Sequence, residues 1–207
     1  MYIQPLFSMP EVHEMHQVMR DYSLATLVAH SEGEMEVNLL PLLLVNTGSL
    51  GRLAGHASLA HHLAVGHSGI KAVTAIFQSP NAYISPRWYV NGQRSGRNVP
   101  SWNYVAVLAQ GVLRFIEDPL WMREHLDALT RAQEAHRAEP WSPSHANPEF
   151  LETVAARLIG FEMDIDNLCG KRFLSQQRTE ADRHSLIRYL ALDNGPGASA
   201  VAKLIRP

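Results

Sequence analysis

The chain has 207 residues, 46% hydrophobic content, a formal net charge of -2 and one cysteine. This length and apolar content suit one large domain with a sizeable core. The charge balance argues against a broad cationic surface, although net charge does not report distribution and leaves a local basic patch open. Cys169 has no second cysteine to bridge, so the composition reads as a reducing compartment, the cytoplasm. MYIQPLF at the start has neither a basic leader nor a long apolar run, and no segment approaches the roughly 20 apolar residues of a membrane helix.

Ser8-Met9-Pro10-Glu11 has the form of a capping box. Val12, Met15, Met19 and Tyr22 follow at helical spacing, so a short amphipathic helix ending near Asp21 is expected. The period then changes. Residues 24–29 (LATLVA), the polar turn HSEGE at 30–34, MEVNLLPLLLV at 35–45, the turn NTGS and LGRLAGH read as an antiparallel meander. Pro41 cannot donate to a ladder, which places it at an edge or a bulge. Residues 55–69 read as a strand end entering a short helix, and KAVTAIF as a further strand.

Residues 77–107 hold two of the four Trp and three of the six Tyr. Two aromatic strands, AYISPRWY and PSWNYVAV, flank an insert rich in Gly, Asn and Arg, as in a ribbon with a polar tip. WNYVAVLAQGVLRFI is long enough for a strand bent at Gly111. Asp118-Pro119 and Asn147-Pro148 each open a helix. GFEMDID at 160–166 alternates as a strand with one wet face, and KRFLSQ is its expected hairpin partner. Thr179 and Asp182 cap a last helix. One domain over 1–192, with helical additions at 118–158 and 179–192, precedes a loose tail at 193–207, of which VAKLI is expected to dock again. With about seven short strands and three or four helices that do not alternate, the expected class is mainly β with peripheral helices, an antiparallel barrel.

His56, His61, His62 and His67 cluster, but no metal-binding spacing accompanies them, and they read as surface histidines on a short helix. There is no nucleophile elbow, phosphate loop or dinucleotide glycine fingerprint. The ribbon serves core packing and ligand stacking equally well. Its polar members, Asn81, Ser85, Arg87 and Asn103, would suit the edge of a flat aromatic ligand, and Arg94 and Arg97 read first as solvated loop charges, with contacts to a phosphate or a partner as the alternative. Gln176, Gln177 and Arg178 precede a helix N-terminus, and read equally as an ordinary strand-to-helix junction or as a place where free N–H groups receive an anion.

MYIQPLF, LPLLL, GRLAGHASLA, AYISPRWY, VPSWNYVAV, Pro140-Trp141, GFEMDI, GKRFLSQQR and Asp182-Arg183 together, in this order, resemble the PaiB-type FMN-binding negative transcriptional regulators. The resemblance covers nearly the whole chain. It implies a split β-barrel of the kind shared with pyridoxamine 5′-phosphate oxidase, a homodimer, and FMN sites at the subunit interface. It places Asn38, Leu39, Leu40 and Pro41 at the flavin ring edge and Gly55, His56 and Ser58 on the phosphate side. Tyr83, Ser85, Trp88, Trp102, Asn103 and Tyr104 come from the ribbon, and Gln176 and Arg178 from the late strand of the same or the other subunit. Asn38, Leu59 and His61 stand where the family usually has His, Arg and Asn, and Gly92 where it has Lys. Losing the Arg fork implies weakened FMN affinity, restored in part by a protonated His61.

The resemblance implies a flavin-fold repressor. A flavin-dependent reductase of a small molecule, and a flavin-free dimeric binding module, stand beside it. No helix-turn-helix or basic stripe marks a DNA contact.

Overall fold

The computed structural model describes residues 1–31, 34–61, 63 and 71–207. The chain divides into two compact units. Unit 1 comprises Met1–Val18, Phe77–Leu108 and Cys169–Pro207, and unit 2 comprises Met19–Ile76 and Ala109–Leu168. Residues 32–33 of the HSEGE turn, and most of the short helix expected over 55–69, lie outside the described residues.

In chain order the elements are β1 (Ser8–Met9), α1 (Val12–Asp21), β2 (Leu24–Ser31), β3 (Glu34–Pro41), β4 (Leu43–Val45), β5 (Arg52–Ser58), β6 (Lys71–Gln78) and β7 (Ala82–Ile84). Then come α2 (Val90–Ser95), β8 (Ser101–Ile116), α3 (Pro119–Glu134), α4 (Pro148–Ala155), β9 (Leu158–Phe173), α5 (Glu180–Leu192) and α6 (Ala198–Ala202).

In unit 2 the strand order is β3-β2-β6-β8-β9-β5-β4. β2 pairs antiparallel with both β3 and β6, and β5 with both β4 and β9. The first and last strands of this order are joined through one residue, Leu42, which is 2% exposed. A sheet whose edge strands are consecutive in the chain has to curl on itself, the geometry of a barrel. The core faces follow the two-residue period of β structure. Ala25, Leu27 and Ala29 on β2, Leu53 and Ala57 on β5, and Ile159, Phe161 and Met163 on β9 are all buried. Pro41 closes β3 on an end strand, as a residue without an N–H requires. β8 runs unbroken through Gly111. A Cβ there would strike the carbonyl oxygen of Asp164, so glycine lets the two backbones approach.

In unit 1, β1 pairs with the end of β9, Ser8 opposite Lys171, and β7 pairs with the start of β8. Three expectations change. Ser8 lies in β1 and α1 begins at Val12, so the capping box does not form. GFEMDI and KRFLSQ are not a hairpin, because β9 is one continuous strand from Leu158 to Phe173. The ribbon is shorter than its sequence suggests. Only Ala82–Ile84 joins the ladder, Pro86–Trp88 is a 3-10 turn and the polar insert contains α2. That helix is tied to α5. The Asn91 N–H donates to Asp182 Oδ1 at 3.0 Å, and Asn91 Nδ2 donates to Thr179 Oγ1 at 2.8 Å. The tail forms α6, with Ala198, Val201, Ala202 and Ile205 buried.

Candidate functional site

The expected site residues fall into two groups, one in each unit. In unit 1 the alternation of β8 separates three neighbours. Trp102 is 54% exposed, Asn103 is 0% exposed, and Tyr104 is half-buried on the Trp102 side. Ladder pairing sets Tyr83, 45% exposed, directly opposite Trp102, with ring centroids 5.9 Å apart and planes at 74°. The Tyr104 ring stacks on Phe173 at 6.3 Å and 17°, and Lys171 Nζ stands 5.6 Å from the Tyr104 centroid. Open rings with a cation among them are what a flat, electron-poor conjugated ligand stacks on.

The other members of this group are engaged with the protein. Ser85 Oγ accepts from the Arg87 N–H and caps the 3-10 turn. The Trp88 ring lies parallel to Tyr189 of α5 at 6.0 Å. Asn103 exchanges hydrogen bonds with Ser175 Oγ, each 3.1 Å, and is closed to solvent. Gln176 Oε1 accepts from the Leu174 N–H at 2.8 Å, while its Nε2 donates to the Arg172 and Leu6 carbonyls. Arg178 is different. Its guanidinium lies 4.2 Å above the buried Tyr89 ring, and its Nε is buried with no hydrogen-bond partner. The start of α5 does not await an anion. Thr179 Oγ1 accepts from the Asp182 N–H, and Glu180 and Asp182 already place carboxylates in the first turn.

In unit 2, Asn38 Nδ2 donates to Glu36 Oε1 at 3.0 Å, and His61 Nδ1 lies 3.5 Å from the same oxygen. Leu39 is 66% exposed, with Leu40 and Pro41 half-buried. Gly55 is required by packing, because a Cβ there would meet the Phe161 ring. Ser58 is exposed and accepts from the Ala60 N–H. His56 is not a surface histidine. Its Nδ1 is 3.1 Å from Nε2 of His125, a residue only 5% exposed. Trp121 covers His125 at 4.9 Å and 10° and donates from Nε1 to Glu162 Oε1. Burial pushes the His56 pKa down. Burial, with His56 adding, lowers that of His125 to about 4. The pair is therefore neutral at pH 7, and Glu36 stands beside His61. The 55–61 stretch offers a phosphate no fixed cation. His62 and His67 lie outside the described residues. Sequence reasoning missed His125, because its only signal is an ordinary inward position on α3.

Among the described residues, no set of three or more His, Cys, Asp or Glu is placed to hold a metal. No described helix is long and apolar enough to cross a membrane.

The profile of a family described as "Putative FMN-binding domain" matches residues 1–167. The chain belongs to this FMN-binding family. It is 28% identical over 211 residues to the protease synthase and sporulation protein PAI 2 of Bacillus subtilis, spanning 99% of this chain and 96% of that one. It is 27% identical over 145 residues to the uncharacterized protein AN0679 of Emericella nidulans, spanning 65% of this chain and 58% of that longer one. Among solved structures it is similar to the FAD and heme binding protein of Mycobacterium smegmatis, with a TM-score of 0.60 at 16% identity over 92% of this chain and 82% of that one. It is also similar to the flavocytochrome Anf3 of Azotobacter vinelandii, with a TM-score of 0.58 at 14% identity over 95% and 81%. At such identities the likeness is one of fold, and the fold is the antiparallel split barrel with helices that the sequence led us to expect. FMN is the cofactor of the family. The unit 1 residues fit it, with an open aromatic wall and an arginine whose buried Nε lacks an acceptor. The 55–61 stretch does not supply the charge its phosphate needs.

Proposed function

We propose that this FMN-binding family member is a homodimeric, flavin-dependent negative regulator of transcription. The observation that carries the flavin part is the exposed Tyr83–Trp102 pair with Tyr104 beside it. In this reading the ribbon stacks the flavin ring, and Arg178 and Lys171 supply positive charge. The cofactor itself would bring a ring that accepts electrons, while the protein residues hold and orient it. Asn103 and Gln176, both occupied by the protein, are not ligands in this reading. The strand β3 supports the dimer, for Met35, Val37 and Leu39 expose apolar side chains at alternate positions of an end strand. The regulator part comes from the sequence motifs. It is supported by the end-to-end likeness to the B. subtilis protein, whose name ties it to protease synthesis and sporulation.

FMN titration of Trp102 variants tests the flavin site. Loss of a stacking face costs about 1.4 kcal/mol, so Trp102→Ala is expected to raise the FMN Kd about tenfold, and Trp102→Phe to change it by less than about threefold. An unchanged Kd in the alanine variant, with circular dichroism intact, overturns the stacking role.

A further inference from the structure

Ser175 has φ 61° and is the one residue other than glycine in the left-handed region among the described residues. A side chain in that region is strained, and such a conformation lasts only where its surroundings fix it. Here the fixing partner is visible. Ser175 Oγ receives a hydrogen bond from Asn103 Nδ2 and gives one to Asn103 Oδ1, and both residues are 0% exposed. An amide buried near the start of β8 and paired with one serine is costly to leave unmatched. The left-handed residue turns the chain out of β9. Directly after it, Gln176 reaches back to the backbone at Leu174, Arg172 and Leu6, and the Arg178 N–H returns to the Ser175 carbonyl at 2.9 Å. The turn ends in the guanidinium stacked on Tyr89.

We infer that Asn103 and Ser175 form a buried latch that sets the 174–178 turn and thereby places Arg178. Asn103 is a positioning residue and touches no cofactor. The inference rests on the flavin reading for its effect on binding, but not for the latch itself. Glycine adopts a positive φ without strain and alanine does not, so the two substitutions at 175 separate the backbone role from every other.

The experiment compares full-length Ser175→Gly, Ser175→Ala, Asn103→Ala and the Asn103→Ala/Ser175→Gly double variant. FMN titration and amide hydrogen exchange over 174–178 are read on each. Ser175→Ala and Asn103→Ala are expected to weaken FMN binding about tenfold and to speed exchange in the turn. Ser175→Gly and the double variant are expected to stay within about threefold of the parent. A double variant as weak as Asn103→Ala overturns the latch, as do equal affinities for the Gly and Ala variants at 175. If Asn103→Ala fails to fold, the two variants at 175 decide alone. Parent protein that binds no FMN overturns the flavin reading. Exchange then judges the latch, and unchanged protection of the turn in Ser175→Ala overturns it.

Discussion

His56 and His125 are 69 positions apart in the chain and 3.1 Å apart in space. Their contact has a consequence for pH. A buried histidine whose pKa lies below its unfolded value takes up its proton more readily in the unfolded chain. Stability is therefore full above the unfolded value of 6.5 and is lost as pH falls through that value toward about 4. Between pH 7 and pH 5, His125 is expected to account for a loss of roughly 2 kcal/mol, and His56, shifted in the same direction, to deepen it. Urea titrations at the two pH values measure the loss. His125→Phe keeps a ring beneath Trp121 and removes the titrating group, so its stability should fall less over the same interval. A parent-like loss in that variant would assign the pH dependence elsewhere. The contact was illegible in the sequence, because GHASLAHH sets His56 among three other polar residues and nothing in EHLDAL singles out its partner.

At the scale of elements, legibility followed how local the decisive interactions are. β2, with Ala25, Leu27 and Ala29 turned inward, could be read from its own residues, and so could α3 with Asp118 as its cap. β9 could not. Asp-Asn-Leu-Cys-Gly looks like a turn, but the strand is held extended by partners on both of its halves, Arg52–Ser58 opposite one and Ser8–Met9 opposite the other. α2 was hidden for the same reason. Val-Asn-Gly-Gln-Arg-Ser has poor helix propensity, and the bonds from Asn91 to Thr179 and Asp182 come from a segment about 90 residues later. Of the expected site, the Tyr83–Trp102 wall was legible through period-2 alternation, whereas the inward role of Asn103 depended on Ser175. The β3 stripe carries its own prediction. Val37 is 51% exposed between Met35 and Leu39, so Val37→Lys costs the monomer little. It sets a charge in the proposed dimer contact and is expected to convert the dimer to monomer by light scattering at micromolar protein. A dimer that survives this substitution unweakened assigns the contact to another face.

For the whole molecule, the formal charge of -2 conceals a segregation. Unit 1 contains ten Lys and Arg against five Asp and Glu, and unit 2 contains eight against fifteen. The sequence could not reveal this, because unit 1 is assembled from three separated stretches. A polyanion is attracted to the first unit and repelled by the second, and the attraction is screened over about 10 Å at 0.1 M salt. Arg94 and Arg97, at the end of α2 and just beyond it, are exposed and enter no ion pair among the described residues, so they are available to phosphates. If regulation involves direct contact with DNA, that contact belongs to unit 1. Gel retardation of upstream DNA is then expected at 50 mM salt and is lost by about 200 mM, since each phosphate contact adds roughly 0.9 to the slope of log affinity against log salt. Arg94→Glu/Arg97→Glu should abolish the retarded band. Arg123→Glu/Arg131→Glu, on α3 of unit 2, should leave it, because those arginines already pair with Glu152 and Asp127 in an acidic setting. Parent protein that retards no DNA at 50 mM salt rules out direct contact and shifts regulation to a protein or small-molecule partner. Equal effects of the two double substitutions would mean that the segregation of charge does not steer binding.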